Sequence, residues 1–130
     1  MKDSKRERVM GDIAMDKDRL LAGGIDYDAA VERFAGQASI YERYLMKFLE
    51  DSHISDAKEA LLKEDYEAVL EQAHALKGLA GTLGMTELHR ASGALVNDLR
   101  ADVREETAEK LEKLDGEQER MRDVIRDAGI

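Results

Sequence analysis

The chain has 130 residues, enough for one domain with one core, and its 29 acidic against 20 basic residues give a formal net charge of −9. That excess of negative charge argues against a nucleic-acid partner, whose phosphates need a clustered positive surface. The lack of cysteine excludes disulfides, thiolate metal sites and cysteine nucleophiles, while the absence of proline and only 5% aromatics favour helices over a sandwich or barrel.

Residues 1–23 are polar, with sparse apolar positions at Val9, Ile13, Leu20 and Leu21. They read as a flexible or weakly docked lead-in that the Gly23-Gly24 pair ends, and residues 24–130 as the domain proper. A first helix is expected from about Asp26 or Asp28 to Ala35, with Gly36 as its stop. Ser39 is placed as the N-cap of the next, whose apolar positions Ile40, Tyr44, Leu45, Phe48 and Leu49 recur at helical spacing as far as about Asp51. Ser55 is read as capping a further short helix with Ala57, Ala60, Leu61 and Leu62.

Asp65 opens the helix that carries the strongest amphipathic signal: Val69, Ala73, Leu76, Ala80 and Leu83, spaced four, three, four and three. Gly84 is its C-terminal stop, and Thr86 is expected to cap the helix lined by Leu88, Ala91, Leu95 and Leu99. The last helix is placed at about Val103 to Arg126, with Val103, Leu111, Leu114, Met121 and Ile125 facing inward and Asp115-Gly116 as a point where it kinks or splits. Short connections between long amphipathic helices make antiparallel neighbours. The expected fold is all-α: an antiparallel up-and-down four-helix bundle with one or two additional short N-terminal helices. No run approaches the roughly 20 apolar residues of a membrane span, and no signal segment is recognisable. A soluble, cytoplasmic monomer is the expectation.

Function concentrates on the helix opened by Asp65. At about 100° per residue, His74 falls roughly opposite the apolar stripe, with Glu67, Leu70, Glu71, Lys77, Gly78 and Gly81 on its side of the wheel. An interior glycine costs a helix about 1 kcal/mol relative to alanine, and a plain solvent face has no reason to carry two. Gly78 and Gly81 bare the flank of the imidazole so that another backbone or a tetrahedral anion can approach. Lys77 reaches the same space with an ammonium group suited to a phosphoryl group. Leu70, one turn before the histidine, offers an apolar contact to a docking partner. A neutral imidazole keeps one nitrogen lone pair for attack.

The run Ala73-His74-Ala75-Leu76-Lys77-Gly78, continued as Leu79-Ala80-Gly81-Thr82-Leu83-Gly84, resembles the signature of histidine phosphotransfer domains. Gly24-Ile25-Asp26, Arg33-Phe34-Ala35-Gly36 and Phe48-Leu49-Glu50-Asp51 are similar to the family's opening, so the resemblance spans about Gly24 to Arg100. It implies a four-helix bundle with His74 on the exposed face of the second bundle helix, phosphorylated reversibly on the ring nitrogen farther from the backbone. It implies Lys77 as the phosphate neighbour and Gly78 as the residue that keeps space open, with Leu70, Glu71, Gly78 and Gly81 forming the docking face. The implied partners are a response-regulator receiver domain, a hybrid sensor histidine kinase, or both, in two-component signalling. No cofactor of its own is expected, the receiver supplying Mg2+. Leu79, Thr82 and Val96-Asn97-Asp98 depart from the family's common residues, and the last three receive no role.

The same small-residue run is similar to the phosphoacceptor domain of chemotaxis-type histidine kinases, which is one alternative. A helical interaction module that binds without phosphorylation is another, and a purely structural bundle a third. His53 and His89 share no i, i+4 spacing with His74 or each other, so no helical metal motif arises. No phosphate loop or nucleotide fingerprint is present, and a phosphocarrier without kinase activity of its own is expected.

Overall fold

The computed structural model describes residues 15–129. Among them are seven helices: α1 (Lys17–Ala22), α2 (Tyr27–Arg33), α3 (Ala38–Phe48), α4 (His53–Leu62), α5 (Tyr66–Leu83), α6 (Thr86–Arg100) and α7 (Thr107–Ala128). Helices α4 to α7, joined through 63–65, 84–85 and 101–106, form the antiparallel bundle: α5 packs on α4 and α6, and α7 on the same two from the other side. The apolar stripes meet inside. Val69, Ala73, Leu76, Ala80 and Leu83 of α5 are buried, as are Leu88, Leu95 and Val96 of α6 and Leu111, Leu114, Met121 and Ile125 of α7. Two lysines tie α7 to its neighbours: Lys58 reaches Asp115 at 2.6 Å and Glu112 at 3.2 Å, and Lys110 pairs with Asp98. The hydrogen bonds that both lysines donate to these carboxylates raise their pKa.

Helices α1 to α3 gather at the end of the bundle where α5 and α7 finish. Met15 and Leu20 are fully buried, the Asp16 N–H donates to the Ala128 carbonyl at 2.8 Å, and Asp16 Oδ1 caps α1 through the Asp18 and Arg19 amides. A Cβ on Gly23 would stand 2.5 Å from Val124 Cγ1, so the chain crosses α7 where only hydrogen fits. The expectation of a loosely docked lead-in over 1–23 therefore needs correction for its final third, because Met15 and Leu20 supply core. Val9 and Ile13 lie outside the described residues.

The far end of α5 receives the most attention from the N-terminal helices. Gly84 takes a left-handed conformation, φ 81°, and its N–H closes on the last turn. Tyr41 of α3, itself buried, donates its hydroxyl to the Leu83 carbonyl at 2.6 Å, and Arg33 Nη1 donates to the Thr82 carbonyl at 3.3 Å. Burial, with the neighbouring Tyr27 ring second, raises the Tyr41 pKa well above the usual phenol range and keeps it a donor. The Asp26 N–H donates to the Gly84 carbonyl at 2.8 Å beside an Ile25–Met85 bridge. Four orphaned carbonyls are the normal problem of a helix end, and here three elements share the remedy.

Several expected boundaries move. The N-cap positions are Gln37, Ser52 and Met85 instead of Ser39, Ser55 and Thr86, and none of the three makes a side-chain cap bond. Tertiary ties set them. The Met85 backbone is held in the bridge to Ile25, so α6 begins at Thr86 itself, and the Asp51 carboxylate accepts from the His53 N–H at the start of α4. The last helix begins at Thr107 because Asp102 turns left-handed, φ 61°, which leaves Val103 exposed where it was expected to face inward. That helix passes Gly116 without a break.

Replacing Gly84 by alanine both strains a positive φ and drives a Cβ to 2.7 Å from the Asp26 carbonyl oxygen. We expect Gly84→Ala to destabilise the fold by about 1–3 kcal/mol, and Tyr41→Phe, which strands the Leu83 carbonyl, by about 1–2 kcal/mol. Urea denaturation reads both, and unchanged midpoints would contradict the capping role.

Candidate functional site

Helix α5 is an 18-residue helix with one face wholly committed to the core. Val69, Ala73, Leu76, Ala80 and Leu83 are each at most 3% exposed, so the rotation of α5 about its axis is settled and the opposite face must meet solvent. Glu67, Glu71, His74, Ala75, Gly78 and Thr82 are the exposed residues along it. His74 stands at mid-helix, on the most regular part of the backbone, which gives its imidazole a fixed origin.

The three histidines differ in what holds them. His53 Nδ1 lies 2.7 Å from Asp51 Oδ1, and His89 Nδ1 lies 2.8 Å from the Lys77 carbonyl oxygen; each oxygen can only accept, so each Nδ1 carries the proton. Both rings are partly buried. His74 is exposed and makes no hydrogen bond or ion pair with any described residue. Its ring is free to meet an external electrophile without breaking a contact.

The flank of α5 toward α6 follows an antiparallel register that three close approaches define. Arg104, just beyond α6, stacks its guanidinium over the Tyr66 ring at 4.5 Å, His89 lies on Gly81, and the side chain of Lys77 runs over Gly93. Lys77 is half-buried on this flank, and its ammonium pairs with no carboxylate among the described residues. A cation without an internal anion, one turn from an unengaged imidazole, suits a site that receives an anionic group from outside.

The chain matches the family model of the Hpt domain over residues 43–126, well over half its length. It belongs to the Hpt domain family. No curated protein and no solved structure matches it. The Hpt family works by histidine phosphotransfer in two-component systems, and that is the role of this chain. Among the described residues no helix is long and apolar enough to cross a membrane.

Within this Hpt domain the residues expected to act together separate into two groups. Glu71, His74 and Gly78 share the open face. A Cβ on Gly78 would meet nothing within 4 Å, so its lack of a side chain is not required by packing. Leu70 is half-buried and packs against the core, which leaves it a rim contact at most. Gly81 is corrected. A Cβ there would stand 2.9 Å from His89 Nδ1, so Gly81 admits the His89 ring between two helices and does not open the docking face. Reasoning from sequence missed Gly93 altogether, although the helix-interior cost that drew notice to Gly78 and Gly81 applies to it equally.

The two glycines of α5 should therefore respond oppositely. We expect Gly78→Ala to leave stability unchanged or raise it by up to about 1 kcal/mol, and Gly81→Ala to lower it by about 1–3 kcal/mol through overpacking against His89. Thermal melts of the two variants check the contrast, and equal shifts would contradict it.

Proposed function

We propose that this Hpt domain takes a phosphoryl group onto Nε2 of His74 from the phosphoaspartate of a response-regulator receiver domain, and returns it to a receiver aspartate in the reverse step. The observation that carries this reading is the contrast among the histidines: His53 and His89 are each held through Nδ1, while His74 alone is exposed and unengaged among the described residues. In the forward step the Nε2 lone pair attacks phosphorus, the N–P bond forms, the bond from phosphorus to the aspartyl oxygen breaks, and the carboxylate leaves with that electron pair. Lys77 neighbours the transferred group and offsets its charge. The chain's contribution is a nucleophile on a rigid helix, so that docking alone brings the reactants into line.

The divalent cation of the reaction belongs, in this reading, to the receiver. No group of three or more His, Asp or Glu side chains among the described residues could hold a metal ion. Glu71 and Gly78 border the histidine on the docking face, with Leu70 at its rim. A hybrid sensor histidine kinase that carries such a receiver is a fitting source of the phosphoryl group.

The test is transfer of acid-labile phosphate from a receiver domain charged with acetyl phosphate. His74→Gln should abolish transfer, and Lys77→Ala should slow it about tenfold while the bundle melts as before. Gly78→Leu should weaken receiver binding in a titration without loss of stability, because it fills space that only a partner uses. Label retained by the His74→Gln protein would overturn the assignment. A partner that binds the His74→Gln protein normally, with no label on the native one, would favour a module that binds without phosphorylation.

A further inference from the structure

We infer that α6 positions the Lys77 ammonium, through His89 and Gly93, and that these two are positioning residues for the phosphotransfer step. The inference rests on the reading that Lys77 neighbours the phosphoryl group on His74. His89 and Gly93 lie four residues apart on α6 and so share one face, which both turn toward the Lys77 turn of α5.

His89 governs the backbone of that turn. Its ring occupies the space that Gly81 leaves empty, and its Nδ1–H donates to the Lys77 carbonyl at 2.8 Å. That carbonyl lies within the hydrogen-bond ladder of α5, one turn after His74, where few side chains of another helix could reach it. A larger residue at position 81 would exclude the ring, so Gly81 and His89 form one device.

Gly93 governs the side chain. A Cβ built on Gly93 would lie 3.6 Å from Lys77 Cε and 3.7 Å from Cδ, so the lysine stem rests against bare α6 backbone. A lysine on an open helix face samples many rotamers, and ordering it costs entropy at the moment of use. With its stem laid along α6, the ammonium is half-ordered before any partner arrives. No carboxylate among the described residues competes for it. Both the start and the path of this side chain are thus set by a helix that contributes no group to the reacting atoms.

The spacing makes graded demands. A methyl group at position 93 meets the stem at ordinary contact distance, whereas a branched chain must displace it. Gly93→Ala should therefore leave the rate unaltered and Gly93→Leu should lower it. His89→Leu removes the donor to the Lys77 carbonyl, while His89→Asn places an amide nitrogen near the position of Nδ1 and should restore most of the rate.

The experiment measures phosphorylation of the full chain by phosphoramidate, a small donor that needs no receiver, in native and Lys77→Ala backgrounds. Gly93→Leu and His89→Leu should each slow the native protein about three- to tenfold and have no further effect once Lys77 is alanine. Relaxation of 13C at Lys77 Cε should show a more mobile stem in Gly93→Leu. If either variant slows the Lys77→Ala protein by the same factor as the native one, its effect is general damage and the positioning role fails. Native rates in both variants, with an unchanged Cε signal, overturn it as well. A His74→Gln protein still phosphorylated at the native rate would instead defeat the proposed function. A Lys77→Ala protein at the native rate with His74 still required would remove the lysine, and this inference with it, while leaving His74 in place.

Discussion

Burial of five small and medium apolar side chains along one face of α5 governs the rest of the molecule. Val69, Ala73, Leu76, Ala80 and Leu83 are buried where α5 packs between α4 and α6, and no other rotation of α5 keeps all five from water. Two of the five are alanines, which lets neighbouring helices come close and leaves little room for the helix to roll. Because His74 and Gly78 sit on the reverse of that stripe, their exposure follows from the core. A mid-helix position outside a packed core is open to a docking partner with the least motion, which is the property the proposed phosphoacceptor role of His74 needs.

The pattern was legible where a repeat of 3.6 residues carried it. The stripe of α5, the inward residues Leu111, Leu114, Met121 and Ile125 of α7, the left-handed Gly84 and the exposure of His74 are all local consequences of spacing and glycine chemistry. Helix starts were less legible. Ser39, Ser55 and Thr86 have the chemistry of N-caps, yet contacts from distant segments decide where α3, α4 and α6 begin, and local propensity yields to them. The docking of Met15 and Leu20 was hidden for a similar reason. Two buried side chains in a polar stretch make no periodic signal, and their segment is docked at the opposite end of the chain, where Gly23 meets Val124 and the Asp16 amide meets the Ala128 carbonyl.

The glycines show both the use and the limit of reasoning from cost. An interior glycine announces that something needs the space, without saying what. At Gly78 the space is open and faces solvent; at Gly81 it holds the ring of His89; at Gly93 it carries the stem of Lys77. Only the pairing register of α5 with α6 tells the three apart, and that register is a property of two segments together. A histidine that looked like an incidental flank residue thereby became the contact that defines the turn after His74.

The hydrogen bond from Asp16 to Ala128 joins nearly the first and last described residues and folds the chain back on itself. A contact of such long sequence separation forms only after the intervening helices have collapsed, since closing so large a loop is unfavourable until its walls exist. Helix α1 is then the latest piece to seat and the earliest to peel away. It rests on α2 and α7 and makes no packing contact with α5 among the described residues. Fraying at this seam would bare Val124 and its neighbours while the open face of α5 around His74 kept its shape, so wear on the scaffold and the presentation of that face are mechanically uncoupled.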